Sequence, residues 1–172
     1  VGLVVGTGER QRLPALIAGV LQDRERTTAA RTAVSNPTPA GALPFGPLPS
    51  RAGVARSGAR ARALVKVQEG CQHRCSFCIV PRARGSSRSY PPEIVLGRVL
   101  EWVGRGHREV VLTGVDLGHY GADLQPRTDL ASLLGEIVKV HGLHWVRLSS
   151  ILPSYVTGAL LDVIGSSERI AP

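Results

Sequence analysis

Methionine is absent from this sequence, even at position 1. No apolar run approaches the roughly 20 residues a helix needs to cross a bilayer, so no membrane role is expected. Cysteine is nearly absent too: the sequence has 3, and Cys71, Cys75 and Cys78 all fall in one short loop. An odd, local set does not make a disulfide framework, and no charged, apolar and small-residue leader opens the chain. A reducing, cytoplasmic location is the expectation. Acid is scarce between residues 51 and 88, where Arg51, Arg56, Arg60, Arg62, Lys66, Arg74, Arg82, Arg84 and Arg88 face Glu69 alone. The rest of the chain balances acid and base, so the whole net charge of +8 belongs to this segment. A polyanion is the partner such an excess implies, because each neutralised phosphate releases counterions. A solvated basic linker is the plainer account of Arg51–Arg62.

The cysteines, with three and then two residues between them, can place three thiolates on three corners of a cubane iron–sulfur cluster. The fourth iron is then left open, as a site that binds substrate requires. A zinc site using His73 or His107 as fourth ligand is an alternative, but no second ligand pair appears. Buried structural thiols are another, against which stands the polar, arginine-containing loop.

Regular alternation organises the rest. Leu3–Gly6 reads as a strand leading into an amphipathic helix bearing Leu13, Leu16, Ile17, Val20 and Leu21. Residues 22–61 lack apolar periodicity and read as a linker rich in Ala, Arg, Thr, Pro, Gly and Ser. From residue 64 strands are expected at 64–68, 109–113 and 144–150. Helices are expected from Pro92 to Gly104, from Thr128 to Val140 and from Pro153 to Ile164. This predicts an α/β fold with a parallel sheet and helices outside, in which chemistry gathers on the loops after the strands. A doubly wound nucleotide-binding sheet gives the same rhythm, but its Gly-x-Gly-x-x-Gly turn is missing and the cysteines stand there instead.

The wording around the cysteines is similar to the radical S-adenosylmethionine enzymes that methylthiolate transfer RNA. The similar stretches are Val65–Gly70, Ile79–Gly85 and Ser87–Ser89, followed by Glu109–Asp116, Tyr120–Leu124 and Val146–Ile151. Leu-Thr-Gly-Val-Asp and Tyr-Gly-Ala-Asp-Leu most resemble the branch specific for threonylcarbamoyladenosine. The branches acting on isopentenyladenosine or on a ribosomal protein resemble it less there. The resemblance implies the first half of a partial TIM-type radical barrel in residues 62–172. It implies a remnant of an N-terminal domain in residues 1–21 and a linker over 22–61, so the sequence looks like a fragment, inactive alone.

Further expectations follow from the resemblance. Cys71, Cys75 and Cys78 would hold a 4Fe–4S cluster with one open iron that chelates S-adenosylmethionine. Phe77 would lie near the adenine, with Gly114, Asp116 and Ser149 against the methionine end. Gly114 could instead be an ordinary turn glycine, Asp116 a turn cap and Phe77 a packing residue. Arg82, Arg84 and Arg88 are the expected RNA contacts, with carboxylate pairing to Glu69 or Asp116 as the structural alternative. His73 and His119 read as loop histidines. No catalytic residue is expected apart from the cluster and cofactor. A second, auxiliary 4Fe–4S cluster is expected only in the complete protein. The expected partners are transfer RNA and a flavodoxin-type electron donor, with a monomeric chain. Leu152 departs from the acid usual after Ser-Ser-Ile.

Overall fold

A computed structural model describes residues 12–23 and 62–171. The expected strand at Leu3–Gly6, the linker, and Arg51, Arg56 and Arg60 lie outside the described residues. The described residues belong to two compact units, one holding residues 12–23 and 74–85, the other residues 62–73 and 86–171.

The larger unit is built on a parallel sheet. Strand β1 (Arg62–Lys66) pairs in parallel with β4 (Glu109–Thr113), and β4 with β5 (Trp145–Leu148). Ile170 makes a further parallel bridge to Val146, extending the order beyond β5. Each strand is followed by a helix before the next parallel strand, which is how parallel pairs must be connected. The helices are α3 (Pro92–Gly104), α4 (Leu130–Ile137) and α5 (Gly158–Ser166). The α/β class and the parallel sheet agree with the sequence reading.

Period-two alternation sets the faces. Ala63, Val65, Val110, Leu112 and Val146 are buried and join Val95, Val99, Leu133, Leu134 and Ile137 of the helices in one core. The register aligns Leu64 with Val111 and Val111 with Arg147 on the other face, where Leu64 remains 56% exposed. On that face Glu109 Oε1 accepts a hydrogen bond from Arg147 Nε and is ion-paired with the Arg62 guanidinium, whose Nε lies at 3.0 Å.

Several boundaries differ from the sequence reading for identifiable reasons. Helix α4 starts after Asp129, whose Oδ1 accepts from Ser132 N at 2.7 Å, and α5 after Thr157, whose Oγ1 accepts from Leu160 N at 3.2 Å. These side chains satisfy amides that the first turn leaves without partners. Pro153–Tyr155 is a separate 3₁₀ turn and not the start of α5. The first strand stops at Lys66. The chain then forms β2 (Gln68–Glu69), antiparallel to β3 (Arg88–Ser89), an unexpected ribbon that ties together the two feet of the cysteine loop.

In the smaller unit, α1 (Leu13–Asp23) leaves Leu13, Ile17 and Leu21 exposed. A short helix α2 (Val80–Arg84) was not anticipated. Pro81 lies in its first turn, where no amide is missed, and Gly85 ends it at φ +77° with its N–H on Pro81 O.

Candidate metal and cofactor site

The chemistry-bearing residues of the sheet unit collect beyond the C-terminal ends of the parallel strands. Gly114–Asp116 follow β4, and Ser149 follows β5, its N–H donating to Leu112 O at 2.9 Å. Val67 N donates to Thr113 O at 2.9 Å before the chain enters β2 and the cysteine loop.

Gln68 organises this rim. It is wholly buried; Nε2 donates to Ser87 Oγ and Gly70 O, both at 2.8 Å, and lies 3.0 Å from Glu69 O. Its Oε1 accepts from Asp116 N at 2.8 Å. One amide therefore joins the start of the cysteine loop, its end and the loop after β4. Gly114 sits against this side chain, where a Cβ would lie 2.9 Å from Gln68 Oε1. That contact alone accounts for a glycine at 114.

The motif Tyr120–Leu124 grips β3. Tyr120 Oη donates to Tyr90 O and Gly121 N donates to Ser89 Oγ, both at 2.8 Å, while Asp123 Oδ2 accepts from Ser89 N at 2.8 Å. Gly121 has φ +84°, and a Cβ there would stand 2.4 Å from Thr128 O. Burial, then Glu93 and Asp123, push the Tyr120 hydroxyl well above the usual phenol range.

A compact polar group surrounds Asp116, whose carboxylate is buried. Its Oδ2 lies 3.2 Å from His73 Nε2 and 3.8 Å from Cys71 Sγ. Tyr155 Oη is 2.8 Å from the same His73 nitrogen and 3.5 Å from His119 Nδ1, and Gln72 Nε2 is 2.7 Å from His119 Nε2. Burial, then the charges of Asp116 and Cys71 and a hydrogen bond to Asp116, raise the Tyr155 hydroxyl above its ordinary pKa. Gly118 leaves room for the Tyr155 ring, since a Cβ there would meet it at 2.4 Å. Sequence reasoning passed over Gln68 and Tyr155. Tyr155 was hidden inside a helix read as starting at Pro153, and its aromatic ring opposite a glycine has no sequence signature.

Cys71 is half-buried in the sheet unit. Cys75 is exposed and Cys78 half-buried in the smaller unit, where Cys78 N donates to Cys75 O at 3.1 Å and closes a turn. None of the three is in a disulfide. Turn closure over three residues keeps the two Cα atoms within about 7 Å, a spacing that suits two thiolates on one metal centre. Phe77 is 91% exposed between them. Ser149 Oγ is buried with no hydrogen-bond partner among the described residues. An orphaned hydroxyl there suits a polar ligand, and thiols held out of disulfides suit a cluster.

Arg82 is exposed and Arg84 half-buried on α2, while Arg88 is half-buried on β3 with Glu69 as its register partner. Glu69 also receives a hydrogen bond from Lys66 Nζ. His107, the other histidine considered for zinc, packs edge-on against Trp102 at 5.0 Å ahead of β4, at the opposite end of the sheet from Asp116. Among the described residues no helix is long and apolar enough to cross a membrane.

Comparison with known proteins settles the family. The profile of the Radical SAM superfamily matches residues 65–152, about half of the chain. The chain belongs to this superfamily. It is 43% identical over 108 residues to the ribosomal protein uS12 methylthiotransferase RimO of Syntrophus aciditrophicus, covering 63% of this chain and 24% of that protein. It is 42% identical over 114 residues to the threonylcarbamoyladenosine tRNA methylthiotransferase MtaB of Rickettsia prowazekii, covering 66% of this chain and 27% of that one. The RimO of Desulforudis audaxviator is 33% identical over 167 residues, or 97% of this chain and 34% of that protein. The chain thus spans about a quarter to a third of the relatives it matches. Radical SAM proteins with these relatives are transferases, and the superfamily implies S-adenosylmethionine and a 4Fe–4S cluster.

Proposed function

We propose that this chain is the cluster-bearing part of a cytoplasmic radical enzyme that adds a methylthio group to a hypermodified adenosine beside the anticodon. Threonylcarbamoyladenosine is the preferred substrate. The observation that carries the reading is the Cys71, Cys75 and Cys78 triplet inside the matched superfamily region, flanked by the chain's entire net charge. Relatives named for tRNA and for ribosomal-protein modification both match, so methylthio transfer to a ribosomal protein is the second reading. The basic excess favours the RNA.

Bound at the three thiolates, the cluster with S-adenosylmethionine supplies one-electron cleavage of a sulfonium and hydrogen abstraction. The chain's own residues position the reactants. Gln68 fixes the Asp116 backbone, and the Asp116 carboxylate can accept from the methionine ammonium. The Ser149 hydroxyl can donate to the methionine carboxylate, which gives its buried oxygen a partner. Phe77 offers an exposed ring for the adenine, and Gly114 keeps backbone close to the cofactor. Arg82, Arg84 and Arg88 track the RNA backbone. An auxiliary cluster and a flavodoxin-type reductant complete the system, as a monomer.

The test uses the complete enzyme, transfer RNA from a host lacking its own methylthiotransferases, and nucleoside mass spectrometry. Methylthio-threonylcarbamoyladenosine is the expected product. Modification of ribosomal protein uS12 with unmodified transfer RNA supports the second reading, and loss of both products would reject methylthio transfer.

A further inference from the structure

The group around Asp116 contains more than the proposed cofactor contact requires. Cys71 Sγ, His73 Nε2 and an Asp116 carboxylate oxygen all lie within 4.8 Å of one another. Tetrahedral zinc bound to one thiolate at about 2.3 Å and to nitrogen and oxygen at about 2.1 Å needs those atoms roughly 3.4–3.6 Å apart. The observed 3.8 Å from sulfur to oxygen and 3.2 Å from nitrogen to oxygen bracket that range. The sulfur and the nitrogen lie within 4.8 Å of one another, and Cys71 and His73, both half-buried, are the side chains that close on the metal, while Asp116 is anchored by Gln68 through its backbone.

We propose that Cys71, His73 and Asp116 form a mononuclear site for a borderline-soft divalent cation, zinc above all, in protein that carries no cluster. The donor chemistry selects the metal. Sulfur with imidazole excludes the hard cations calcium and magnesium, which take oxygen ligands, and suits zinc. Zinc displaces the Cys71 thiol proton, which leaves to solvent, and takes the His73 Nε2 lone pair of the tautomer that carries its proton on Nδ1. The Tyr155 hydroxyl, no longer held by Nε2, turns its proton to the Asp116 carboxylate and becomes the outer partner of that ligand. A fourth position is left for water.

This differs from a zinc site built on three cysteines, because Cys75 and Cys78 take no part. A Cys71 thiolate held by zinc is withdrawn from the cluster, so the two metal states exclude one another. That exclusion rests on the cluster reading above; the zinc site itself does not.

The experiment uses the full chain, freed of metal and kept anaerobic. Zinc affinity is measured against a chromogenic chelator, and cobalt(II) serves as the spectroscopic probe. One equivalent of cobalt should give tetrahedral d–d bands with a single-thiolate charge-transfer band. His73→Ala and Asp116→Asn should each weaken zinc binding by about tenfold or more. Cys75→Ala and Cys78→Ala should bind zinc as the parent does. Urea midpoints for every variant separate a lost ligand from a lost fold, and His73→Ala, a half-buried loop position, is less exposed to that problem than the buried Asp116. Unchanged zinc affinity in a folded His73→Ala chain overturns the proposal. So does loss of zinc in Cys75→Ala, which would put the metal on the cysteine triplet. Iron reconstitution of the same variants tells the two readings apart. A parent that binds zinc as described yet never assembles a cluster defeats the function proposed above and leaves the zinc site standing.

Discussion

Replacing Gln68 by leucine roughly keeps its size and removes every hydrogen bond its side chain makes. Asp116 N–H then loses its acceptor in a buried setting, and Gly70 O and Ser87 Oγ lose their donor. A buried polar group left without a partner costs about 1–3 kcal/mol. Ser87 can rotate, and a carbonyl tolerates a missing donor better than an amide tolerates a missing acceptor. The expected loss is therefore about 3 kcal/mol, most of it at Asp116. For a chain of this size that corresponds to a fall of roughly 6–12 °C in melting temperature. Urea unfolding followed by the fluorescence of Trp102 and Trp145 measures the stability, and amide exchange at Asp116 reports the particular bond. Gln68→Glu is the informative companion. It keeps an acceptor for Asp116 N–H, and its acid form can still donate to Gly70 O. Burial raises such a carboxyl group's folded pKa, so its stability is greatest below about pH 4.3 and lost as pH rises. A loss below about 1 kcal/mol in Gln68→Leu, with Asp116 exchange unchanged, would refute the view that this amide holds the rim together.

Other outcomes are open to direct measurement. Cys75→Ala should abolish the iron–sulfur absorption that the reconstituted parent shows, and a full four-iron spectrum in that variant would remove it from the ligand set. Arg82→Ala and Arg84→Ala should each lower the magnitude of the log–log salt slope for transfer-RNA binding by about one unit, whereas Arg56→Ala, in the segment read from sequence as a linker, should leave it unchanged. Gly121→Ala should destabilise the chain by more than about 1 kcal/mol, because φ is +84° and the new Cβ meets the Thr128 carbonyl. Tyr120 carries a raised folded pKa, so its contribution is complete below about pH 10 and lost as pH climbs past it; Tyr120→Phe should shift that alkaline limb of the unfolding profile.

The strands and helices were legible where burial imposes a period. Alternating Val110 and Leu112 announce a strand, and Leu130, Leu133, Leu134 and Ile137 a helix, whereas the first strand, read at 64–68, lies two residues earlier at Arg62–Lys66. Helix starts were less legible because Asp129 and Thr157 act through single side-chain hydrogen bonds that interrupt no pattern. The ribbon between Gln68–Glu69 and Arg88–Ser89 was not legible at all, since two residues on each side are too few to show a period. The cysteine spacing suggested a cluster from sequence alone, and that reading stands as the proposal above. The polar group on Asp116 did not, because Cys71, Asp116 and Tyr155 come from loops after different strands and meet only once the sheet is formed.

Glu109, held between Arg62 and Arg147, bears on how the sheet finds its alignment. Parallel neighbours such as β1 and β4 are joined by long connections, so no tight turn dictates which residue meets which. Sliding β4 by one residue would turn Glu109 toward Val99 and the helices and leave two guanidinium groups facing each other without their shared counter-ion. A carboxylate forced into that apolar layer costs several kcal/mol, whereas the two guanidinium groups, which reach solvent, lose little. The triad thus marks the native alignment: a sheet shifted by one residue carries a charge penalty that the aligned one does not.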